Sequence, residues 1–121
     1  MKTATAFLVV AALAGCSSGG LYPDTDVVEP ANMKLLVATG LQMSGGLLQS
    51  GVLEYEGDGD LNAVFRAYIE GMKAQKWAHA ASEVKGDKAT GTLRKDSRSC
   101  SLAFTSINGK IRAVITVALQ K

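Results

Sequence analysis

Residues 57–77, GDGDLNAVFRAYIEGMKAQKW, decide the fold. Leu61, Val64, Phe65, Tyr68, Ile69 and Met72 recur at helical spacing and make one continuous apolar stripe. Asn62, Arg66, Glu70, Lys73 and Lys76 fall on other faces. Asp58 or Asp60 can accept backbone N–H bonds at the helix start, where the dipole also favours a negative charge. Trp77 closes the helix. Burying each apolar side chain of the stripe is worth roughly 1.5–3 kcal/mol, before the entropy of ordering it is subtracted. A helix with one such stripe needs a second layer, and the flanking sequence supplies strands.

Before the helix, Val52–Glu56 alternates Leu53 and Tyr55 against Glu54 and Glu56. After it, Lys88–Lys95 alternates Ala89, Gly91 and Leu93 against Thr90, Thr92 and Arg94. Asp96-Ser97 is a turn. Arg98–Ser106 sets Cys100, Leu102 and Phe104 inward. Asn108-Gly109 is a strong hairpin signal, because both turn positions need positive φ. Lys110–Gln120 places Ile111, Ala113, Ile115, Val117 and Leu119 on one face. The last three strands therefore form an antiparallel meander. Met33–Ala38 offers a further short strand. Gly40–Gly51, with four glycines among Leu41, Met43, Leu47 and Leu48, reads as a loop, and residues 78–87 read as a polar connection. The expected architecture is α+β and two-layered: a single helix packed on an antiparallel sheet of about four strands, in the order β-α-β-β-β. This order resembles the helix-grip domains of several envelope lipoproteins.

The N-terminus carries the clearest functional signal. Lys2 precedes an apolar run from Ala4 to Leu13, broken only by Thr5. A membrane-spanning helix needs about 20 apolar residues, so this run has the length of a secretory signal core. It ends in Leu13-Ala14-Gly15-Cys16, which resembles the lipobox of bacterial lipoproteins at every position. The resemblance implies cleavage before Cys16, diacylglycerol on its sulfur and an N-acyl chain, such as palmitate, on the new amine. No other cofactor is expected. Two or three acyl chains hold a protein on a membrane, at about 0.8 kcal/mol per buried methylene. No twin-arginine pair is present, which points to the general secretory route. Ser17, rather than Asp, follows the cysteine. Among Gram-negative lipoproteins that implies a cell outer membrane location facing the periplasm. The expected organisation is a signal peptide over residues 1–15, a lipidated flexible tether over 16–32 and a small domain over 33–121. Ser-Ser-Gly-Gly and two prolines mark the tether.

Loss of the signal removes only Lys2 from the 13 basic residues, leaving near balance with 11 acidic ones. No basic run suggests nucleic acid. With Cys16 acylated, Cys100 is the sole thiol, and its alternation with Leu102 and Phe104 reads as core.

From Ser50 to Lys121 the chain also resembles a family of small bacterial lipoproteins of uncharacterised function. The resemblance rests on Tyr55-Glu56-Gly57, on Leu61, Val64, Tyr68, Met72 and Trp77 along the helix, and on Leu93-Arg94-Lys95 with a charged turn before Cys100. Members carry Gly before the tryptophan; here Lys76 stands there. The family supplies no catalytic residues.

Candidate chemistry is sparse. Asp58, Asp60 and Asn62 have the opening spacing of a calcium loop, but Ala63 and Ile69 stand where Gly and Glu are required. Glu54, Glu56, Asp58 and Asp60 read as a solvated acidic face, with a weak divalent-cation or basic-partner contact as the alternative. His79 is a lone histidine without metal-ligand spacing. No serine has a nucleophile-elbow context, and no glycine pair has a phosphate-loop context. Tyr55, Phe65, Tyr68 and Trp77 either fill the core or line a groove between helix and sheet. The expected function is non-enzymatic. It is that of a lipid-anchored envelope protein, held to the membrane and contacting another envelope protein. The alternative is a carrier of a small apolar ligand in that groove.

Overall fold

The computed structural model describes residues 21–22 and 26–120. The segment expected to be a signal peptide, the lipobox-like motif and Cys16 lie outside the described residues. The elements are β1 (Leu21–Tyr22), β2 (Val27–Val28), β3 (Met33–Ser44), β4 (Leu47–Asp58), α1 (Leu61–Ala74), β5 (Ala78–Lys85), β6 (Lys88–Lys95), β7 (Arg98–Ile107) and β8 (Lys110–Leu119). β1 and β2 form a small antiparallel pair. The other six strands form one antiparallel sheet in the order β3-β4-β8-β7-β6-β5. The helix therefore carries the chain from the β3–β4 hairpin to the far edge, and the meander walks back until β8 meets β4.

The expected four-strand sheet is thus corrected to six strands; only the α+β pairing of one helix with an antiparallel sheet stands. Both additions have physical reasons. The segment Gly40–Gly51 is not a loop but the distal half of the β3–β4 hairpin. Gly45 and Gly46, at φ 60° and 80°, form its two-residue turn, a geometry that matches the twist of the flanking strands. Gly40, at φ 64°, sits where the register slips between Thr39 and Gln42. The second addition, β5, is an edge strand exposed along its whole length. Strands without a buried face carry no alternation, so Ala78–Lys85 has no pattern to read.

Across the sheet the inward side chains stand in rows. Leu53, Ile115, Leu102 and Gly91 are neighbours on β4, β8, β7 and β6, as are Tyr55, Ala113, Phe104 and Ala89, and then Val117, Cys100 and Leu93. All but Gly91 are buried. On the helix, Leu61, Phe65, Tyr68, Ile69 and Met72 are buried against them. Phe65 meets Phe104 edge to face with centroids 5.4 Å apart, and Tyr68 lies 5.6 Å from Phe104. A Cβ at Gly91 would stand 3.1 Å from the Phe65 ring, so glycine here lets the ring settle onto the sheet.

One helix cannot cover this sheet. Six strands span about 24 Å between outer axes, while a helix is about 10–12 Å across. α1 packs on β5, β6 and β7. Residues 26–32 run beside it and cover the remainder: Asp26, Val27, Val28 and Pro30 are buried, and Val28 N–H reaches Met72 Sδ at 3.4 Å. The tether boundary at residue 32 is therefore corrected. Apolar Val27 and Val28 do not dangle; they complete the layer that faces the sheet.

The helix ends are defined by their caps. Asp60 is the N-cap, accepting from Ala63 N–H at 2.9 Å. At the other end Trp77 N–H bonds Met72 C=O and Lys76 N–H bonds Lys73 C=O, the paired closure of a Schellman motif. That motif needs a left-handed residue after the C-cap, and Lys76 takes it at φ 75°. A side chain there costs about 1–2 kcal/mol. The substitution Lys76→Gly is expected to raise unfolding free energy by about 1 kcal/mol, moving Tm up by about 4–8 °C. Calorimetry of the two proteins side by side checks it; an unchanged or lower Tm would show that Lys76 is not strained.

Candidate functional site

Tyr55, Phe65, Tyr68 and Trp77, the side chains expected to line a groove, are all buried in the core. The structure brings Phe65 and Tyr68 together around Phe104, while Trp77, in the same core, lies under Arg98 at the end of the sheet where the helix closes. A cavity of about 390 Å³ does exist, on the flank of the helix that faces residues 28–32. Val28, Ala31, Val64, Ala67, Tyr68 and Gly71 give it apolar walls, and Glu29 stands at its margin. Small side chains at Ala63, Ala67 and Gly71, one turn apart, keep the helix wall low there. Tyr68 alone of the four expected residues lines this cavity. Its hydroxyl is fully buried and makes no hydrogen bond among the described residues. Burial, with Cys100, Tyr55 and Glu29 nearby, holds the Tyr68 phenol well above its ordinary range. Tyr55 donates to Glu29 Oε2 at 3.4 Å, while burial pushes the Glu29 carboxyl up.

Sequence reading missed the most connected polar cluster. Asp26 is buried and takes two bonds from Arg98, Nη1 to Oδ1 at 2.9 Å and Nη2 to Oδ2 at 2.7 Å. Lys95 Nζ also donates to Asp26 Oδ2, and at 2.8 Å to Gln75 C=O. Arg98 donates on to Leu48 C=O at 3.1 Å and lies over the Trp77 ring, 4.9 Å from its centroid. Trp77 Nε1–H donates to Asp26 C=O at 2.9 Å. The only signal available in sequence was Lys95-Asp96-Ser97-Arg98, a charged turn that places two cations across a hairpin. Nothing near Asp26 in sequence names it as their partner.

Burial opposes the Asp26 carboxylate, but the bonds from Arg98 and Lys95 outweigh it and hold its pKa at about 2. Cys100 is buried and free, and burial pushes its thiol up to about 12. It is no nucleophile at neutral pH. Glu54 and Glu56 face Arg112 at 3.4 and 3.8 Å, and Asp58 faces Lys110 at 3.2 Å, all on the surface. Asp60 is committed to its cap. His79 is exposed on β5. Among the described residues no three His, Cys, Asp or Glu side chains converge as a metal site would require. No helix among them is long and apolar enough to cross a membrane.

Comparison of the chain with protein-family models, with curated proteins and with solved structures finds no match.

The Asp26 cluster makes stability depend on pH. Above the ordinary carboxyl value of 3.8, Asp26 is ionised whether the chain is folded or not, and its full contribution of about 2 kcal/mol is present. As pH falls towards 2, the unfolded chain takes up the proton first and the contribution drains away. In urea titrations Asp26→Asn is expected to cost about 3 kcal/mol at pH 7, by leaving Arg98 buried without its counter-charge. The gap to wild type should narrow steadily from pH 4 to pH 2; a gap independent of pH would remove Asp26 from the account.

Proposed function

We propose that this chain is a lipid-anchored protein of the cell envelope whose folded domain works by contact with another envelope component. One observation carries the reading: Leu13-Ala14-Gly15-Cys16 at the end of a short apolar run. The buried, free state of Cys100 fits it, since a thiol sealed in the core leaves Cys16 without a disulfide partner and available for acylation. A contact surface is at hand on β3, an edge strand where Leu36 and Val37 are 39% and 44% exposed. Exposed edges with apolar side chains favour pairing with another chain.

The N-terminal peptide recovered from membrane fractions should carry the mass of a diacylglyceryl cysteine, and Cys16→Ser should release the protein to the soluble fraction. An unmodified cysteine on a soluble protein would overturn the reading.

One observation favours a second reading, a carrier of a small apolar ligand. It is the cavity beside Tyr68, walled by Val28, Val64, Ala67 and Gly71. An apolar naphthylamine dye should brighten on the wild-type protein, and Ala67→Leu, which adds bulk to the cavity wall, should weaken its binding about tenfold. Equal dye binding by both proteins would set this reading aside.

A further inference from the structure

The two edges of the sheet differ. Along β3 the pairing slips between Leu35 and Val37, between Thr39 and Gln42 and again before Met43, which breaks the line of outward backbone groups. Along β5 it slips once, between His79 and Ala81, and residues 81–85 run in unbroken register with β6. Lys85 and Lys88 flank a two-residue turn, so they form a hydrogen-bonded pair, as do Glu83 with Thr90 and Ala81 with Thr92. Ser82 and Val84 alternate with them. Their N–H and C=O groups therefore point away from β6, and among the described residues they have no partner.

The side chains at this edge carry a pattern of their own. Val84 stands opposite buried Ala89, on the helix side of the sheet, and is 44% exposed. Glu83 and Lys85 project from the other side, and both are exposed. Neither belongs to an ion pair among the described residues, nor does Lys88, which stands directly opposite Lys85. Two like charges facing each other across a hairpin repel. On the helix side a groove of about 690 Å³, with Phe65 and Ile69 in its wall, leaves space beside Val84.

We infer that β5 pairs antiparallel with β5 of a second copy, about a two-fold axis through Val84 that continues the sheet from one copy into the other. In this register the two Val84 residues face each other and exchange a pair of backbone hydrogen bonds. Each Glu83 then stands opposite the partner's Lys85, so a carboxylate comes to each uncompensated lysine pair. An axis through Glu83 would set the two carboxylates against each other, and an axis through Ser82 would place Glu83 opposite Ala81. Charge complementarity thus selects Val84. The axis stands perpendicular to the sheet, so both helix layers lie on one side, and the β3 edge of each copy stays free. The overlap, residues 82–86 of each copy, is far smaller than the about 800 Å² per partner of a stable complex, so the pairing is weak in free solution. The anchor proposed above raises the local concentration of copies, but the pairing does not rest on it.

The test places Val84→Cys in the full chain and oxidises it mildly in isolated membranes. Facing Cα atoms in a hydrogen-bonded pair stand about 5.5 Å apart, within reach of a disulfide. Cys100 is buried and does not compete. Val84→Cys should form a species of twice the chain mass several times faster than Leu119→Cys, which is comparably exposed but lies away from β5. Adding Glu83→Lys to Val84→Cys should slow the reaction about tenfold, and adding Lys85→Glu to that protein should restore it. Equal rates at positions 84 and 119 would overturn the inference, as would a Glu83→Lys protein that cross-links as fast as its parent. An adduct of another mass in place of the dimer would put a strand of a different protein on β5 and overturn it too. A chain found in the soluble fraction would sink the anchor, and the same comparisons made there would still decide the pairing.

Discussion

The bidentate bond between Arg98 and Asp26 is the constraint on which the rest of the domain depends. Arg98 is 2% exposed, and a buried guanidinium survives only where its donors and charge are answered. Asp26 answers the charge, Leu48 C=O takes a further donor and the Trp77 ring covers a face. These groups come from the N-terminal segment, from β4, from the helix exit and from the β6–β7 turn. A cluster of this kind costs desolvation and is weak evidence for stability by itself. Its effect is to fix position. Residues 26–32 have only one place to lie, beside the helix, and there they cover the part of the sheet the helix cannot reach.

Much of this was legible in sequence, for definite reasons. The stripe from Leu61 to Met72 specified the helix, and Asp60 its cap. Asn108-Gly109 and the alternation around Cys100 and Ile115 specified the meander, because each of those strands has one dry and one wet face. The two strands that escaped lack that contrast. β5 is wet on both faces. The distal part of β3–β4 is wet on most of its length, and its glycines serve turn and bulge rather than loop. The helix exit shows a further kind of miss: Lys76 occupies a left-handed position that glycine would suit, so composition alone concealed a regular Schellman closure.

The candidate site was less legible. Side chains chosen for size and aromaticity, Tyr55, Phe65, Tyr68 and Trp77, belong to the core, as a domain this small requires of its largest residues. The cavity instead borders small residues, Ala67 and Gly71, which carry no chemical signature. Asp26 and Arg98 stand 72 positions apart. A pair that distant leaves no spacing to recognise, and Asp26 sits in a stretch whose prolines and glycines read as tether. Function follows the same division: the N-terminal motif supports the proposed anchor, while the domain presents an edge strand and a cavity.

The account holds that residues 26–32 are part of the folded layer and not a leash. Native-state hydrogen exchange of the Val28 amide, followed beside amides of β8, tests this most directly. If the segment is built into the core, Val28 should exchange only with global unfolding, as slowly as the centre of β8 and with the same denaturant dependence. Exchange of Val28 at the rate of an open chain, while β8 stays protected, would contradict it.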